Sequence, residues 1–375
     1  MPVDRTLAED LAWTLVELYL DAQTRLAREL ARALVEDIDA PDWAGRKLTQ
    51  LGLMKSFAER LVQLLEQDVT GKVEQTVTLA YARGGKAATE ELVKLAGGTV
   101  RELGEILLAL PGTVALQRLV FALTSKLLGT HLRILRWPLD VYREVVAPLA
   151  LAPVLMGTTT RLAAAQRAWD AFLARGITGF TDKAGRNWEL ASYVEMATRT
   201  GVAQAAVQGH LDQLTGRGID LVIVSNAPQE CVRCRPWEGE VLTVNGAPGI
   251  RTIEREHEIR DHEMVTIQIA GSVTEAIAAG LMHPNCRHSL QAYLPGVTKA
   301  PMRTTDPDGD RARQQLRALE RKVRKAKLQA TAALDPAARK AHERRVAELQ
   351  HDIRDHIAAT DLHRQRHREQ IGAAR

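Results

Sequence analysis

The sequence predicts an α+β protein: a mainly helical N-terminal region, a small mixed α+β module carrying cysteine and histidine, and a basic helical hairpin at the C-terminus. Three observations predict this. Ala, Leu and Arg are abundant and aromatics make up only 4%, a mixture that loses little entropy on entering a helix. Apolar residues recur at helical spacing through the first part of the chain. Past residue 219 they give way to short β-branched runs bounded by turn residues.

The first region spans residues 1–150. Leu7, Leu11, Leu15 and Leu18 fall at steps of four, four and three, one face of a helix. "KSFAERLVQLLEQDV" and "ATEELVKLAGGTVRELGEILLAL" repeat the pattern. Pro41, Gly84-Gly85, Gly97-Gly98, Pro111-Gly112 and Pro138 suit short connections between helices, giving a bundle that packs on itself or forms a homo-oligomer. Residues 151–218 continue as helix in "TRLAAAQRAWDAFLARG" and "NWELASYVEMATRTGVAQAAVQGHLDQLTGRG", separated by the Gly-bearing turn "ITGFTDKAGRNW".

The α+β module occupies residues 219–300. "IDLVIVSNA" reads as a buried strand, and "EMVTIQIAG" as an alternating one. "GEVLTVNG" ends in Asn245-Gly246, a hairpin signal. Thr274 is the expected N-cap of a short helix "TEAIAAG" closed by Gly280, and "RHSLQAYL" suits a final strand. Residues 301–375 form a helical hairpin. One seam runs through Leu316, Leu319, Val323, Ala326 and Ala330, the other through Val346, Leu349, Ile353 and Ile357. Asp335-Pro336 supplies an N-cap and a proline at the first helical position.

At 375 residues the chain exceeds one ordinary core. Its 45% hydrophobic and 26% charged residues match globular proteins. Three cysteines cannot build a disulfide framework. "MPVDRTLAEDLAWTLVELYL" carries early acids and reads as an amphipathic helix, not a signal peptide. The apolar runs "ILLALPGTVALQRLVFAL" and "VVAPLALAPVLMG" are broken by proline, and one holds an arginine while the other is short, so no membrane partner is expected. The expectation is a soluble protein in a reducing compartment. Phosphate-loop, GxSxG and HExxH motifs are absent from the sequence.

Chemistry concentrates in two short stretches. Cys231 and Cys234 form a CxxC knuckle after a strand; His283 and Cys286 repeat the two-residue gap, and His288 is a rival ligand to His283. Two knuckles from separate turns can each aim two soft or borderline donors at one tetrahedral ion, which points to structural zinc. Two other readings stay open. A redox CxxC would need its first cysteine to open a helix in a βαβ setting, whereas Pro236 and Trp237-Glu238-Gly239 suggest a turn. Unmetallated cysteines buried for packing are the plain alternative. A zinc- or cysteine-dependent hydrolase, a nuclease or peptidase, would need an open metal position or a distant base; no catalytic residue is assigned.

"FTDKAGRNWELASYVEMATRT", "DLVIVSNAPQECVRCRPWEGEVLTVNG" and "GLMHPNCRHSLQAYLPG", in that order, resemble the phage minor capsid proteins of the second type, relatives of the Mu F-like head morphogenesis proteins. The likeness is best over residues 160–300. It carries over onto Gly185, Arg186, Tyr193, Met196, Arg199 and Thr200, onto Trp237, Glu238 and Gly239, and onto Pro284 and Asn285 beside the cysteines and histidines. The resemblance implies a structural, non-enzymatic minor head protein of a phage or prophage. It implies association with the portal protein and major capsid protein inside the head, after assembly in the host cytoplasm. Procapsid assembly, genome packaging or DNA delivery would be its task.

Charge adds a partner. Residues 303–375 hold 18 Lys and Arg against 11 Asp and Glu, leaving 32 against 35 elsewhere. "RARQQLRALERKVRKAK" contains Arg313, Arg317, Arg321, Lys322, Arg324, Lys325 and Lys327. Basic residues on a helix neutralise phosphates and release counterions, so packaged double-stranded DNA is an expected partner, against the alternative of a solvated helix face.

Overall fold

The computed structural model describes residues 6–95, 113–151, 160–178, 180–181, 187–227, 229–283, 286, 288–301 and 306–372. The chain is α+β and divides into two compact units, each discontinuous in sequence. The first comprises Met1–Thr14, Lys72–Thr124 and Met196–Arg311; the second comprises Leu15–Gly71, Ser125–Glu195 and Ala312–Arg375.

Long helices dominate the first half: α1 (Thr6–Val35), α2 (Trp43–Leu95), α3 (Thr113–Leu128), α4 (His131–Val141), α5 (Ala147–Leu151) and α6 (Arg161–Arg175). In the second unit α1 buries Leu15, Tyr19, Ala22, Leu26, Leu30 and Leu34, a stripe at steps of three and four. The Pro41 break separates α1 from α2 as expected. Arg161 closes that turn by donating to the carbonyls of Ile38 and Ala40 at 2.6 Å each.

Two expected breaks are instead helix interior. Pro138 lies inside α4, which passes directly into a π-helical turn over Tyr142–Val146. Proline forfeits one amide hydrogen bond and crowds the preceding turn; here Trp137 beside it is buried and stacks on Phe172 at 5.5 Å, packing that holds the helix together. Gly84-Gly85 lies inside α2, and the reason is a close helix crossing in the first unit. A Cβ on Gly84 would sit 1.9 Å from the Ala206 carbonyl oxygen of α7 (Leu190–Thr215). A Cβ on Gly209 would sit 2.0 Å from that of Tyr81. Reciprocal glycines let the two backbones touch, and that packing offsets a helix penalty of about 1 kcal/mol per glycine. Gly97-Gly98 and Pro111-Gly112 lie outside the described residues.

Ahead of α7, the turn "ITGFTDKAGRNW" carries a two-residue antiparallel ladder of β1 (Phe180–Thr181) and β2 (Asn187–Trp188). The main sheet lies in the first unit: β3 (Leu221–Val224), β4 (Val241–Thr243), β5 (Arg251–Glu256), β6 (Met264–Ser272) and β7 (Leu290–Ala292), in the order β5-β6-β4-β3-β7. β3 runs antiparallel to both β4 and β7, and β4 runs parallel to β6. One face carries Val222, Val224, Leu242, Leu290 and Ala292, packed with Leu211 and Leu214 of α7, Ala88 of α2, and Cys234 and Cys286. The other carries Leu221, Ile223, Val241, Ile267 and Ile269. The β7 edge is tied to α2: Glu91 accepts from the Ala292 amide at 2.9 Å and meets buried His210 at 2.8 Å.

The Asn245-Gly246 hairpin does not form. β5, a strand not expected from the sequence, pairs among the described residues with β6 alone, which separates it from β4. The dipeptide therefore sits in a connection between non-neighbouring strands. The short helix α8 (Val273–Ala278) is capped by Ser272 rather than Thr274; Ser272 and Glu275 form a reciprocal capping box. Gly280 closes it with φ +112, its amide donating to Ile277 and that of Leu281 to Ala276.

In the second unit, α9 (Pro307–Thr331) from Ala312 onward and α10 (Pro336–Ala358) form the expected hairpin. Leu316, Val323, Ala326, Leu349 and Ile353 are buried in one cluster with Leu362. Asp335 caps α10 by accepting from the amides of Ala337 and Ala338.

Candidate metal centre

The sheet topology brings the two knuckles together. The loop 225–240 leaves the end of β3, and the turn at His283 leads into the start of β7, where Val224 pairs with Leu290. Backbone hydrogen bonds close each knuckle, the Arg235 amide also donating to the Cys231 carbonyl at 3.1 Å. The Cys234 amide donates to the Cys231 carbonyl at 3.1 Å, and the Cys286 amide to the His283 carbonyl at 2.9 Å. Non-glycine residues with left-handed backbone precede both, Gln229 at φ 62 and Met282 at φ 58, a conformation that tertiary packing must hold. Gly239, at φ +71, donates to the Val224 carbonyl at 3.0 Å and returns the loop to β4.

The five predicted ligands converge as two trios sharing one sulfur: Cys231, Cys234 and His283, then Cys234, Cys286 and His288. Within each trio the ligand atoms lie within 4.8 Å of one another. Cys234, Cys286 and His288 are 0%, 2% and 3% exposed; Cys231 and His283 are half-buried. The Cys234 and Cys286 sulfurs are 3.5 Å apart, Cys286 Sγ is 3.4 Å from His288 Nδ1, and Cys231 Sγ is 2.9 Å from His283 Nε2. The His288 amide also points at Cys286 Sγ, at 3.4 Å.

The donor chemistry fits a soft or borderline divalent ion. Sulfurs bound at about 2.3 Å in a tetrahedron stand about 3.8 Å apart, near the observed 3.5 Å. In the bare protein the adjacent Cys286 sulfur, and then burial, push the Cys234 thiol well above its ordinary range; a bound cation reverses that preference and takes the thiolate. Burial works against a charged His288, yet the Cys286 sulfur and the Glu238 carboxyl outweigh it and raise its pKa. This cluster could hold a metal ion.

Glu238 is a motif residue to which the sequence assigned no part in the cluster. It is 1% exposed, and its Oε1 lies 2.6 Å from His288 Nε2 and 3.2 Å from the Ala227 amide. Its sequence signals are its place four residues after Cys234, ahead of a turn glycine, and the family motif carried over onto it.

The remaining motif residues are dispersed. Tyr193, Met196, Arg199 and Thr200 are on α7, with Thr200 Oγ1 donating to the Met196 carbonyl at 2.7 Å. Trp237 packs half-buried against the core that holds Cys234. Gly185, Arg186, Pro284 and Asn285 lie outside the described residues. A cleft of about 440 Å³ lined by Gln204, Leu211, Ile277 and Met282 touches the cluster only through His288.

The basic stretch is spent largely inside the second unit. Arg324 is buried, donating to Glu195 at 3.1 Å and to the Arg368 carbonyl at 2.8 Å. Arg317 lies 3.8 Å from Glu195 and from Glu320, and Lys325 3.3 Å from Glu189. Lys327 donates to Gln370 at 3.0 Å and is half-buried, as is Arg313. Arg321 and Lys322 are exposed.

Among the described residues no helix is long and apolar enough to cross a membrane. No solved structure matches the chain. A protein of Lactococcus phage LL-H, described as a structural protein, is 24% identical over 335 residues, covering 84% of this chain and 86% of that protein. The family model for phage minor capsid protein 2 matches residues 4–358, helical arms and cysteine module alike. With nearly the whole chain matched, the protein belongs to the phage minor capsid protein 2 family.

Proposed function

We propose that the chain is a non-enzymatic minor capsid protein, placed at the portal and the head interior, whose α+β module is closed by one structural zinc ion. It acts in procapsid assembly, DNA packaging or DNA delivery. The observation that carries the zinc is the meeting of two knuckles, from loops about fifty residues apart, on the shared sulfur of Cys234. Burial of Cys234, Cys286 and His288 supports a structural ion over a hydrolytic one, because a catalytic zinc keeps a position open for water. Family membership supports the place in the virion.

Elemental analysis of the purified full chain tests the metal, with one zinc per chain expected. A folded, zinc-free chain with three free thiols overturns it. Cleavage of DNA or capsid protein that is lost in Cys286→Ala while the fold persists would favour the hydrolase instead. Co-purification with coexpressed portal and major capsid proteins tests the location, and absence of the chain from purified heads refutes it. Contact with packaged DNA belongs to this reading through Arg321 and Lys322, joined by the exposed Arg339, Lys340 and Arg344 of α10.

A further inference from the structure

The five donors stand in two trios that share the Cys234 sulfur, and the two imidazoles are held differently. His283 Nε2 is 2.9 Å from Cys231 Sγ. Two ligands of one ion, a sulfur at about 2.3 Å and a nitrogen at about 2.05 Å, would stand about 3.5 Å apart. The 2.9 Å spacing is too short for two ligands of one ion. His288 Nδ1 is 3.4 Å from Cys286 Sγ, the spacing that shared ligation requires. Its other nitrogen is taken: Nε2 lies 2.6 Å from Glu238 Oε1.

We propose that Glu238 is a positioning residue that holds the Nε2–H of His288, so that Nδ1 of His288, and not His283, is the imidazole donor to the ion beside Cys234 and Cys286. This rests on the zinc reading above. A neutral imidazole has one donor nitrogen and one acceptor nitrogen; a carboxyl that takes the proton of Nε2 leaves the Nδ1 lone pair facing the sulfurs. Such an outer carboxyl fixes tautomer and ring orientation and strengthens the ligand. Glu238 is suited to it. It is 1% exposed, one amide from Ala227 fixes Oε1, and Oε2 has no hydrogen-bond partner among the described residues. The carboxyl's side-chain partner is His288. His283 then serves as a hydrogen-bonding neighbour of the Cys231 sulfur.

The test uses the full chain and zinc itself. Chelator competition on wild type and Glu238→Gln gives the two zinc affinities, and thermal melts of both are recorded with zinc and with excess chelator. Loss of an outer-shell partner weakens metal binding about 10- to 100-fold. The expected result is that loss in Glu238→Gln, with the chelated chains melting alike. Equal affinities, or an equal loss of stability with and without zinc, overturn the proposal. A second measurement needs no variant to fold: a long-range ¹H–¹⁵N spectrum of zinc-loaded wild type with labelled histidine. His288 protonated at Nε2 and metal-bound at Nδ1 is expected. Metal on His283, or on Nε2 of His288, refutes it. A wild-type chain that binds no zinc sinks the zinc reading itself, an outcome visible before any variant is made.

Discussion

Cys234→Ser is the sharpest perturbation of the centre, because Cys234 belongs to both donor trios and is lost from any four-ligand set. A structural zinc contributes about 10–16 kcal/mol of apparent binding energy, so one of four ligands accounts for roughly 3 kcal/mol, a loss of more than a hundredfold in affinity. Whole domains are stable by only about 5–15 kcal/mol, so such a loss is felt in folding. The serine also leaves a buried hydroxyl whose recorded carbonyl neighbour, that of Gly280, lies 3.9 Å from the present sulfur. With two compact units, one global transition is the wrong probe. Hydrogen exchange resolved to β3, β4 and β7 reads the module alone. The expected outcome is at least a hundredfold faster exchange there, matched by adding chelator to wild type, with α10 unchanged. Val232→Ser, 77% exposed between the two cysteines, should change stability by less than about 0.5 kcal/mol. A Cys234→Ser chain that keeps one zinc and exchanges like wild type refutes the reasoning.

Gly209→Ala should destabilise the first unit by about 3 kcal/mol or more, because its methyl meets the backbone of α2 and no rotamer relieves it; chemical denaturation measures this, and a neutral result denies the close crossing. Arg324→Ala removes one of the arginines around Glu195, leaving Arg368 at 3.2 Å and Arg317 at 3.8 Å, and should cost about 2 kcal/mol in the second unit without altering DNA binding. Arg321→Glu with Lys322→Glu should do the reverse, leaving the melting temperature in place and lowering the salt slope of DNA binding by about two. Zinc affinity should fall as pH falls. The raised pKa values of Cys234 and His288 mean that protons compete with the metal up to higher pH, each displaced proton adding about a tenfold change per pH unit. A titration that is flat between pH 6 and 8 contradicts thiolate ligation.

The local patterns of this sequence were enough for most of its helices, the α9–α10 seams, four of the strands (β3, β4, β6 and β7) and the paired spacing of its cysteines and histidines. Periodicity, capping residues and two-residue gaps are properties of neighbouring positions, and the chain states them directly. Where a second segment decides the outcome, the sequence was silent or misleading. Gly84-Gly85 reads as a break until α7 supplies a backbone for it to touch. Asn245-Gly246 reads as a hairpin until β6 takes the place beside β4. Arg324 and Lys325 read as a DNA-facing run until Glu195 and Glu189 neutralise them. Above all, the contact of Glu238 with His288, fifty residues away, exists where the pairing of β3 with β7 brings their loops together. Ligand identity is carried by single residues; ligand orientation is carried by contacts between distant ones, and those exist only once the chain has folded.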